Sequence, residues 1–208
     1  MRTYIYIDGF NLYYGVIKNT NFKWLDLKKL CQNLLKPDYN IVTIKYFTAR
    51  VSGKYDQSKP QRQDTYLKAL KSFIPEIEIH YGVFRSHPAK APLYNPRNSQ
   101  LKLVDIIKTE EKGTDVKLAT HLLNDAWNDL YDCAILISND SDISESLKLV
   151  KKQFSSKKIG LFIPDDAYPS NELKANVDFI KRIRKGAISL SQLPNPIPNT
   201  NIYKPKLW

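Results

Sequence analysis

Hydrophobic and polar positions along the chain predict strands that alternate with helices. Short runs rich in β-branched and aromatic residues are typical of strands, and apolar residues that recur every three or four positions are typical of helices. The predicted strands are 3–8, 40–51, 76–84, 133–138, 158–163 and 179–183. The predicted helices are 10–18, 26–35, 57–73, 114–130, 141–154 and 171–178. This alternation predicts an α/β fold with a parallel sheet covered by helices on both faces.

Two proline-rich stretches interrupt this alternation. Residues 85–100 contain three prolines and several polar side chains, which predict a long surface loop inserted before a short extra strand at 101–109. Residues 194–208 contain four prolines and no acid, which predict an extended tail. We therefore expect one domain over 1–185 and a basic, proline-rich C-terminal tail over 186–208. The tail is a candidate contact for its own domain, for a second copy of the chain or for a protein partner.

Length and composition exclude several classes of protein. The 208 residues suffice for a single domain with its own core. No apolar run approaches the ~20 residues of a membrane-spanning helix, so no membrane association is expected, and the early acid Asp8 interrupts any signal-peptide core. The two cysteines, far apart and in apolar surroundings, predict buried free thiols and a cytoplasmic protein.

Acidic residues follow two of the predicted strands. In an open parallel sheet, ligands bind beyond the carboxyl ends of the strands, where the strand order reverses. The first strand ends at Asp8, and the strand 133–138 is followed by Asp140 and Asp142. In the commonest doubly wound orders these two strands are neighbours, so we expect the three carboxylates to meet. Asp115 shares a helical face with apolar residues of the helix 114–130, which directs it toward the same sheet edge.

Each of these acids also has a structural alternative. Asp8 before a glycine is typical of a turn, the acids at 140–142 are typical of a helix N-cap, and Asp115 is typical of a first helical turn. A shared site requires all of them, and their joint occurrence favours it. Crowded carboxylates stay ionised when a divalent cation joins them. Their hard oxygens suit Mg²⁺ or Mn²⁺, which in turn suits phosphodiester hydrolysis.

The same acids lie within three motifs: Ile-Asp-Gly-Phe-Asn at 7–11, Glu-Lys-Gly-Thr-Asp-Val at 111–116 and Leu-Ile-Ser-Asn-Asp-Ser-Asp-Ile at 136–143. Together they resemble the motifs of NYN domains, the LabA-like branch of the PIN-like nucleases. The resemblance covers most of residues 1–185. It implies a three-layer, doubly wound PIN-like fold and a metal-dependent nuclease, an endoribonuclease acting on single-stranded RNA. A few members of this family are described as pyridine-ring hydroxylases.

The resemblance also assigns roles to individual residues. It implies metal binding by Asp8, Asp115, Asp140 and Asp142, with Mg²⁺ or Mn²⁺ as the cofactor. Asn11 would orient the first acid or the phosphate, and Ser138 would support the site. Lys112, beside the acidic centre, would contact phosphate. The sequence has no GxGxxG motif and no Walker loop, which argues against a nucleotide cofactor.

The positive charge of the chain favours a polyanionic partner. Lysine and arginine total 32 against 21 acids, a net charge of +11. Within the basic window 41–75, Lys45, Arg50 and Arg62 are candidate contacts to nucleic acid, and the preference for RNA over DNA rests on the resemblance. Tyrosines that could stack on bases are Tyr46, Tyr55, Tyr94 and Tyr203. The alternatives are a solvated basic face with partly buried tyrosines and, for the whole protein, a non-catalytic RNA- or protein-binding module.

Overall fold

A seven-stranded sheet runs through the centre of the molecule, and its strands occur in the order β4-β3-β2-β1-β5-β6-β7. The structure is a computed structural model that describes residues 1–54, 56–94, 103–164, 168–206 and 208. The strands are β1 (Arg2–Asp8), β2 (Asn40–Ala49), β3 (Ile77–Pro92), β4 (Leu103–Lys112), β5 (Cys133–Ile137), β6 (Lys158–Ile163) and β7 (Phe179–Arg182). All neighbouring strands are parallel except β3 and β4. The predicted α/β fold with a mostly parallel sheet is confirmed.

The chain reverses its direction across the sheet between β1 and β5. From β1 it proceeds through β2 to β3, and it later returns to the other side of β1 through β5, β6 and β7. Residues 3–7 of β1 pair in parallel with residues 133–137 of β5. The carboxyl ends of these two strands therefore lie side by side at a topological switch point, as the sequence predicted.

Helices cover both faces of this sheet. They are α1 (Gly9–Leu12), α2 (Leu27–Leu34), α3 (Ser58–Phe73), α4 (Thr114–Trp127), α5 (Ser144–Gln153), α6 (Asn171–Ala175) and α7 (Lys185–Leu190). A wider π-helical turn over Tyr13–Ile17 continues α1. Side chains of α2, α3 and α7 share one hydrophobic core, whereas those of α4, α5 and α6 share a second. Residues of β1 alternate between the two, because successive side chains of a strand point to opposite faces.

An antiparallel arm, formed by residues 83–92 and 103–112, replaces the first half of the predicted loop. Val83 pairs with Lys112 and Pro92 with Leu103, so the prediction of a loop over 85–92 was wrong. Beyond Gly82, β3 has left β2 and pairs with β4 alone. A strand with one partner tolerates prolines, because a missing N–H on its open side removes no ladder bond. The rest of that prediction, at 95–100, lies outside the described residues.

The C-terminal segment packs on the domain rather than extending away from it. The helix α7 lies within the predicted tail, and Leu25 forms an isolated bridge with Gln192. Leu193 and Ile197 are 4% and 1% exposed. The ring of Trp208 lies edge-on to Trp24, with 5.7 Å between the ring centres. The sequence left contact with its own domain open as one alternative, and the described part of this segment makes that contact. An extended conformation was the wrong expectation for the residues that form α7, and contact with a partner stays a prediction.

Both cysteines are buried free thiols, as the sequence predicted. Burial raises the pKa of the Cys133 thiol to about 12, so this thiol stays protonated at neutral pH. Over the described residues, no helix combines the length and the apolar character that crossing a bilayer requires. A cytoplasmic location stays a prediction.

Candidate active site

Asp8 ends β1 and is held by four hydrogen bonds. One carboxylate oxygen accepts from the backbone N–H groups of Phe10, at 3.0 Å, and Asn11, at 2.9 Å, and thereby caps α1. The other accepts from Asn11 Nδ2, at 2.7 Å, and from Ser138 Oγ, at 3.1 Å. Asp8 is only 4% exposed, and this burial raises its pKa although the four donors favour the charged form. The carboxylate is therefore fixed in one orientation at the end of the strand.

Asn11 and Ser138 also join the turn after β1 to the turn after β5. The amide oxygen of Asn11 accepts from the backbone N–H of Asn139 at 3.2 Å. Ser138 Oγ accepts from the backbone N–H of Asp140 at 3.1 Å. Asp140 in turn accepts from the N–H of Asp142 at 2.9 Å and caps the short 3₁₀ turn that precedes α5. The structure thus brings the first and third predicted motifs into direct contact.

The turn after β1 depends on a glycine. A Cβ at Gly9 would lie 2.7 Å from the carbonyl oxygen of Phe47 and 2.8 Å from the hydroxyl of Tyr46. These distances are shorter than real contacts of a Cβ, so only glycine lets the chain pass this close to β2. The sequence left a turn former and a site residue open as interpretations of Asp8 before Gly9; the structure shows the turn, and a role in a functional site stays a prediction.

Asp115, in the first turn of α4, brings the second motif to the same place. Burial and the negative charges of its acidic neighbours raise the pKa of Asp115 from 3.8 to about 6. The neighbours, in order of effect, are Asp8, Asp140, Glu111 and Asp142. No ion pair joins Asp8, Asp115, Asp140 or Asp142 to a lysine or arginine of the described chain. The carboxylates therefore act on one another with no cation of the described residues to balance them.

Sequence reasoning missed Glu111 as a fifth acid near this centre. Its carboxylate accepts from Thr114 N, at 3.2 Å, and from Thr114 Oγ1, at 2.5 Å, and so caps α4 in place of Gly113. A Cβ at Gly82 would lie 1.9 Å from Glu111 Oε1, so β3 needs a glycine opposite this side chain. The only signal was an acid shortly before a predicted helix start, and neither the preferred N-cap residues nor the spacing of the capping box identifies it.

The donor set suits a hard divalent cation, although no closed cage exists. Within the described ranges, no three His, Cys, Asp or Glu side chains stand close enough to enclose a metal ion. Mg²⁺ does not need such a cage, because it usually keeps several waters and takes one or two carboxylates together with substrate phosphates. Oxygen donors without a balancing cation fit that requirement, so the residues present are compatible with Mg²⁺ or Mn²⁺.

Of the four basic residues predicted to contact nucleic acid, Lys112 and Arg50 have half-exposed side chains, whereas the side chain of Arg62 is only 19% exposed. Lys112 has a half-exposed side chain and pairs with Glu110 at 3.2 Å. Arg50 pairs with Asp64 at 2.7 Å, and Arg62 pairs with Asp56 at 2.9 Å. Ion pairs as exposed as those of Lys112 and Arg50 are weak and do not prevent contact with phosphate. The roles of these residues in binding nucleic acid stay predictions.

The expectation was wrong for Lys45, which is buried between β2 and α4. Lys45 is 6% exposed, and its Nζ lies 2.6 Å from Asp125 and 3.8 Å from Glu78. Asp125 is 1% exposed and also accepts from the hydroxyl of Tyr6 at 2.7 Å. A lysine enclosed in this way balances a buried carboxylate and is not available to a strand of RNA.

Replacing Asp115 by Asn should raise the Tm of the metal-free protein near neutral pH. The raised pKa of Asp115 means that the folded chain holds this proton more tightly than the unfolded chain. Its contribution to stability is therefore fully present below about pH 3.8 and is lost as the pH rises through about 6. Asn carries no charge and avoids that loss, so the gain should be largest above about pH 6 and vanish near about pH 4.

Differential scanning calorimetry in EDTA across this pH range measures the effect. The matched control is Asp38→Asn, which removes an exposed carboxylate at the amino end of β2, on the opposite edge of the sheet. A Tm of Asp115→Asn at or below the wild-type value at neutral pH would contradict the crowding of charges.

Comparison with known proteins places the chain in a family. The family model of the NYN domain matches residues 2–184. A curated relative, the 6-hydroxy-3-succinoylpyridine 3-monooxygenase HspA of Pseudomonas putida (strain DSM 28022 / S16), is 29% identical over 239 residues, which cover 100% of this chain and 75% of that protein. The crystal structure of VPA0982, a protein of unknown function from Vibrio parahaemolyticus RIMD 2210633, is similar with a TM-score of 0.53 and 17% identity over 88% of this chain and 93% of that chain.

These likenesses differ in what they establish. At 17% identity, the similarity to the Vibrio structure concerns the fold alone, and it agrees with a single PIN-like α/β domain. The narrower LabA-like branch stays a prediction. Because the family model spans nearly the whole chain, the protein belongs to the NYN domain family.

Proposed function

We propose that this protein is a metal-dependent nuclease, and more narrowly an endoribonuclease that hydrolyses phosphodiester bonds of single-stranded RNA. One observation carries the proposal. At the switch point, Ser138 joins Asp8 to the turn that carries Asp140, and the charges of Asp8, Asp140 and Asp142 act on Asp115. No described lysine or arginine forms an ion pair with any of these four acids. Carboxylates arranged in this way destabilise the fold, and they can bind a cation that bridges protein and phosphate.

Mg²⁺ or Mn²⁺ is the cofactor that this donor set suits. Asp8 would hold it with an oriented oxygen, and Asp115, Asp140 and Asp142 would complete the negative surroundings. A cation bound there lowers the pKa of a coordinated water and offsets the charge of the phosphate. Attack by water in line with the leaving oxygen would give products with 5′-phosphate and 3′-hydroxyl ends.

The remaining residues position this centre. Asn11 and Ser138 each donate to the Asp8 carboxylate and hold the turns after β1 and β5 together. A bound metal ion requires donor oxygens at fixed positions, so residues that orient those oxygens support its binding. Lys112, the last residue of β4, has a half-exposed ammonium group that can contact a phosphate of the bound RNA.

RNA as the substrate is supported by the family and by charge. Membership of the NYN domain family favours RNA over DNA, and the net charge of +11 favours a polyanion of either kind. The acids form a local negative centre within a positive protein, which is the arrangement expected of a nuclease that relies on cations for catalysis.

The proposal is tested by incubating labelled single-stranded RNA with the purified chain and Mn²⁺. We expect cleavage that EDTA abolishes and that Asp140→Asn lowers by at least about 100-fold, because loss of even an outer partner of a bound metal typically costs about 10- to 100-fold. Asp38→Asn is the matched control and should cleave like the wild type. Cleavage that survives EDTA and Asp140→Asn would reject the mechanism, and RNA binding without cleavage under any metal would favour a non-catalytic module.

A second candidate, hydroxylation of a pyridine ring, has one observation in its favour. The relative from Pseudomonas putida carries the name of a 3-monooxygenase of 6-hydroxy-3-succinoylpyridine and matches the whole of this chain. The absence of a GxGxxG motif from the sequence argues against a dinucleotide held in the usual way. Oxidation of NADH that depends on a hydroxypyridine, measured at 340 nm (about where NADH absorbs), would support this candidate over the nuclease.

A further inference from the structure

A cavity of about 380 Å³ opens at the carboxyl ends of β1 and β2, on the face of the sheet that α3 covers. Ligand sites usually enclose about 300–1,000 Å³, so this volume is large enough for a small molecule or one nucleotide. Aromatic side chains form much of its wall: Phe10, Tyr13, Tyr14, Tyr46, Tyr66 and Trp208. Trp208 reaches the cavity because the C-terminal segment packs back on the domain, with its ring 5.3 Å from that of Tyr66.

The cavity is lined by cations and by no acid. Lys18, Lys23, Lys59 and Arg62 contribute to its lining, and the described lining residues include no Asp or Glu. Arg62 already pairs with Asp56, whereas none of the three lysines forms an ion pair with an acid of the described chain. Aromatic walls with a positive rim complement a planar ring that carries negative charge.

The position of the cavity links it to the acids. Gly9 and Phe10 line it, and they directly follow Asp8 in the turn after β1. The hydroxyl of Tyr46, another lining residue, lies against the backbone of Gly9. At this edge of the sheet, the acids lie on the face that α4 covers, and the cavity lies on the face that α3 covers. A nucleic-acid strand that crosses the edge can therefore occupy both.

We propose that this cavity binds one nucleotide of the RNA strand, with the base against the aromatic rings and its phosphate near Lys18, Lys23 and Lys59. This inference rests on the proposed function and adds a determinant of the cleavage position to it. Stacking holds a base of any sequence, and the lysines hold the backbone, as in other sites for single strands. The phosphodiester bond to be cleaved would then lie a fixed distance along the strand from the held base.

Binding of 5′-mononucleotides to the full chain in EDTA tests the cavity while no metal ion is bound at the acids. We expect AMP or UMP to quench the fluorescence of the chain and to bind more weakly as salt increases. Tyr14→Ala should weaken this binding by about tenfold, because stacking on an aromatic side chain contributes at least that much. Tyr14 is 61% exposed, so its removal leaves the core intact. The double variant Lys18→Ala/Lys59→Ala should weaken binding by about five- to tenfold at low salt.

Two matched controls accompany these variants. Lys152→Ala removes an equally exposed charge from α5, on the opposite face of the sheet, and should leave binding within about twofold. Tyr168→Ala removes a tyrosine that is 83% exposed and lies outside the cavity, and it should have no effect. If all four variants bind mononucleotides equally, the cavity is not the site and the proposal is overturned.

The source of the ligand is decided by two further probes and by cleavage mapping. Nicotinate, an aromatic acid without ribose or phosphate, should bind at least about tenfold more weakly than UMP, and equal binding would overturn the proposal in favour of a site for small aromatic acids. On RNA, Tyr14→Ala should shift or blur the cleavage positions of an active enzyme. Cleavage without mononucleotide binding would reject the nucleotide site in the cavity and leave the nuclease proposal standing. Mononucleotide binding without any cleavage would reject the nuclease proposal and leave the nucleotide site standing.

Discussion

Asp8→Asn is expected to lower the rate of RNA cleavage at saturating Mn²⁺ by at least about 100-fold without unfolding the protein. The variant keeps one carbonyl oxygen, which can still accept from the N–H groups of Phe10 and Asn11 and cap α1. Its amide nitrogen replaces the oxygen that now accepts from Asn11 Nδ2 and Ser138 Oγ. The charge and one acceptor are lost, and with them the fixed donor that a cation requires.

The same substitution separates a functional role of Asp8 from a structural one. In the metal-free protein it removes a charge that now raises the pKa of Asp115, which favours the fold at neutral pH. It also leaves Asn11 Nδ2 and Ser138 Oγ without their acceptor, so we expect a Tm moderately below that of the wild type. The rise in Tm that Mn²⁺ causes should shrink, because ligand binding stabilises only to the extent that it occurs. A variant that cleaves RNA at the wild-type rate, with an undiminished shift by Mn²⁺, would remove Asp8 from the centre. Asp38→Asn again serves as the control.

Asp125→Ala should lower the free energy of unfolding by about 3–5 kcal/mol, since breaking a buried ion pair leaves an uncompensated charge in the interior. The Asp125 carboxylate is 1% exposed, lies 2.6 Å from Lys45 Nζ and accepts from the Tyr6 hydroxyl. Glu78, at 3.8 Å from Lys45, is half-exposed and too distant to replace it. Urea unfolding followed by circular dichroism measures the loss.

A double variant shows whether the loss comes from the stranded charge. Lys45→Met/Asp125→Leu removes both charges and keeps comparable volume, and it should recover most of the stability, because apolar replacement of a buried pair is often neutral or stabilising. RNA cleavage should change little in this variant, since Lys45 is itself only 6% exposed. If the double variant is as unstable as Asp125→Ala, packing of the Tyr6 hydroxyl rather than charge would dominate this part of the core.

The sequence carried enough information to predict the mostly parallel sheet and the side-by-side strands that end at Asp8 and before Asp140, whereas a shared site of the four acids stays a prediction. Strands ending at Asp8 and before Asp140 are recognisable from local composition, and the rule for open parallel sheets places their ends together. The parallel pairing of β1 with β5 confirms that step. Asp115 was predicted from its helical face, and burial together with the charges of nearby acids raises the pKa of its carboxyl.

The misinterpreted residues are those whose surroundings depend on distant parts of the chain. Lys45 lies in a central strand, and because a parallel sheet is covered on both faces, the alternation of residues does not tell a buried lysine from an exposed one. Its partner Asp125 is 80 residues away. The arm over 83–92 and 103–112 forms because β4 supplies a partner, although prolines suggest a loop locally. Trp208 lines a cavity together with residues of α1 and α3, which are also distant from it along the chain.

The sheet separates the acids from the aromatic cavity, and both lie next to the turn after β1. The acids gather on the side of α4 and the aromatic cavity on the side of α3, and the backbone of residues 8–10 is their common boundary. Mutations that reshape the cavity therefore need not disturb the acids, and the reverse also holds. Changes on one face can therefore accumulate while the other face is kept, so a single scaffold of this kind can give rise to descendants that bind or act on unrelated molecules.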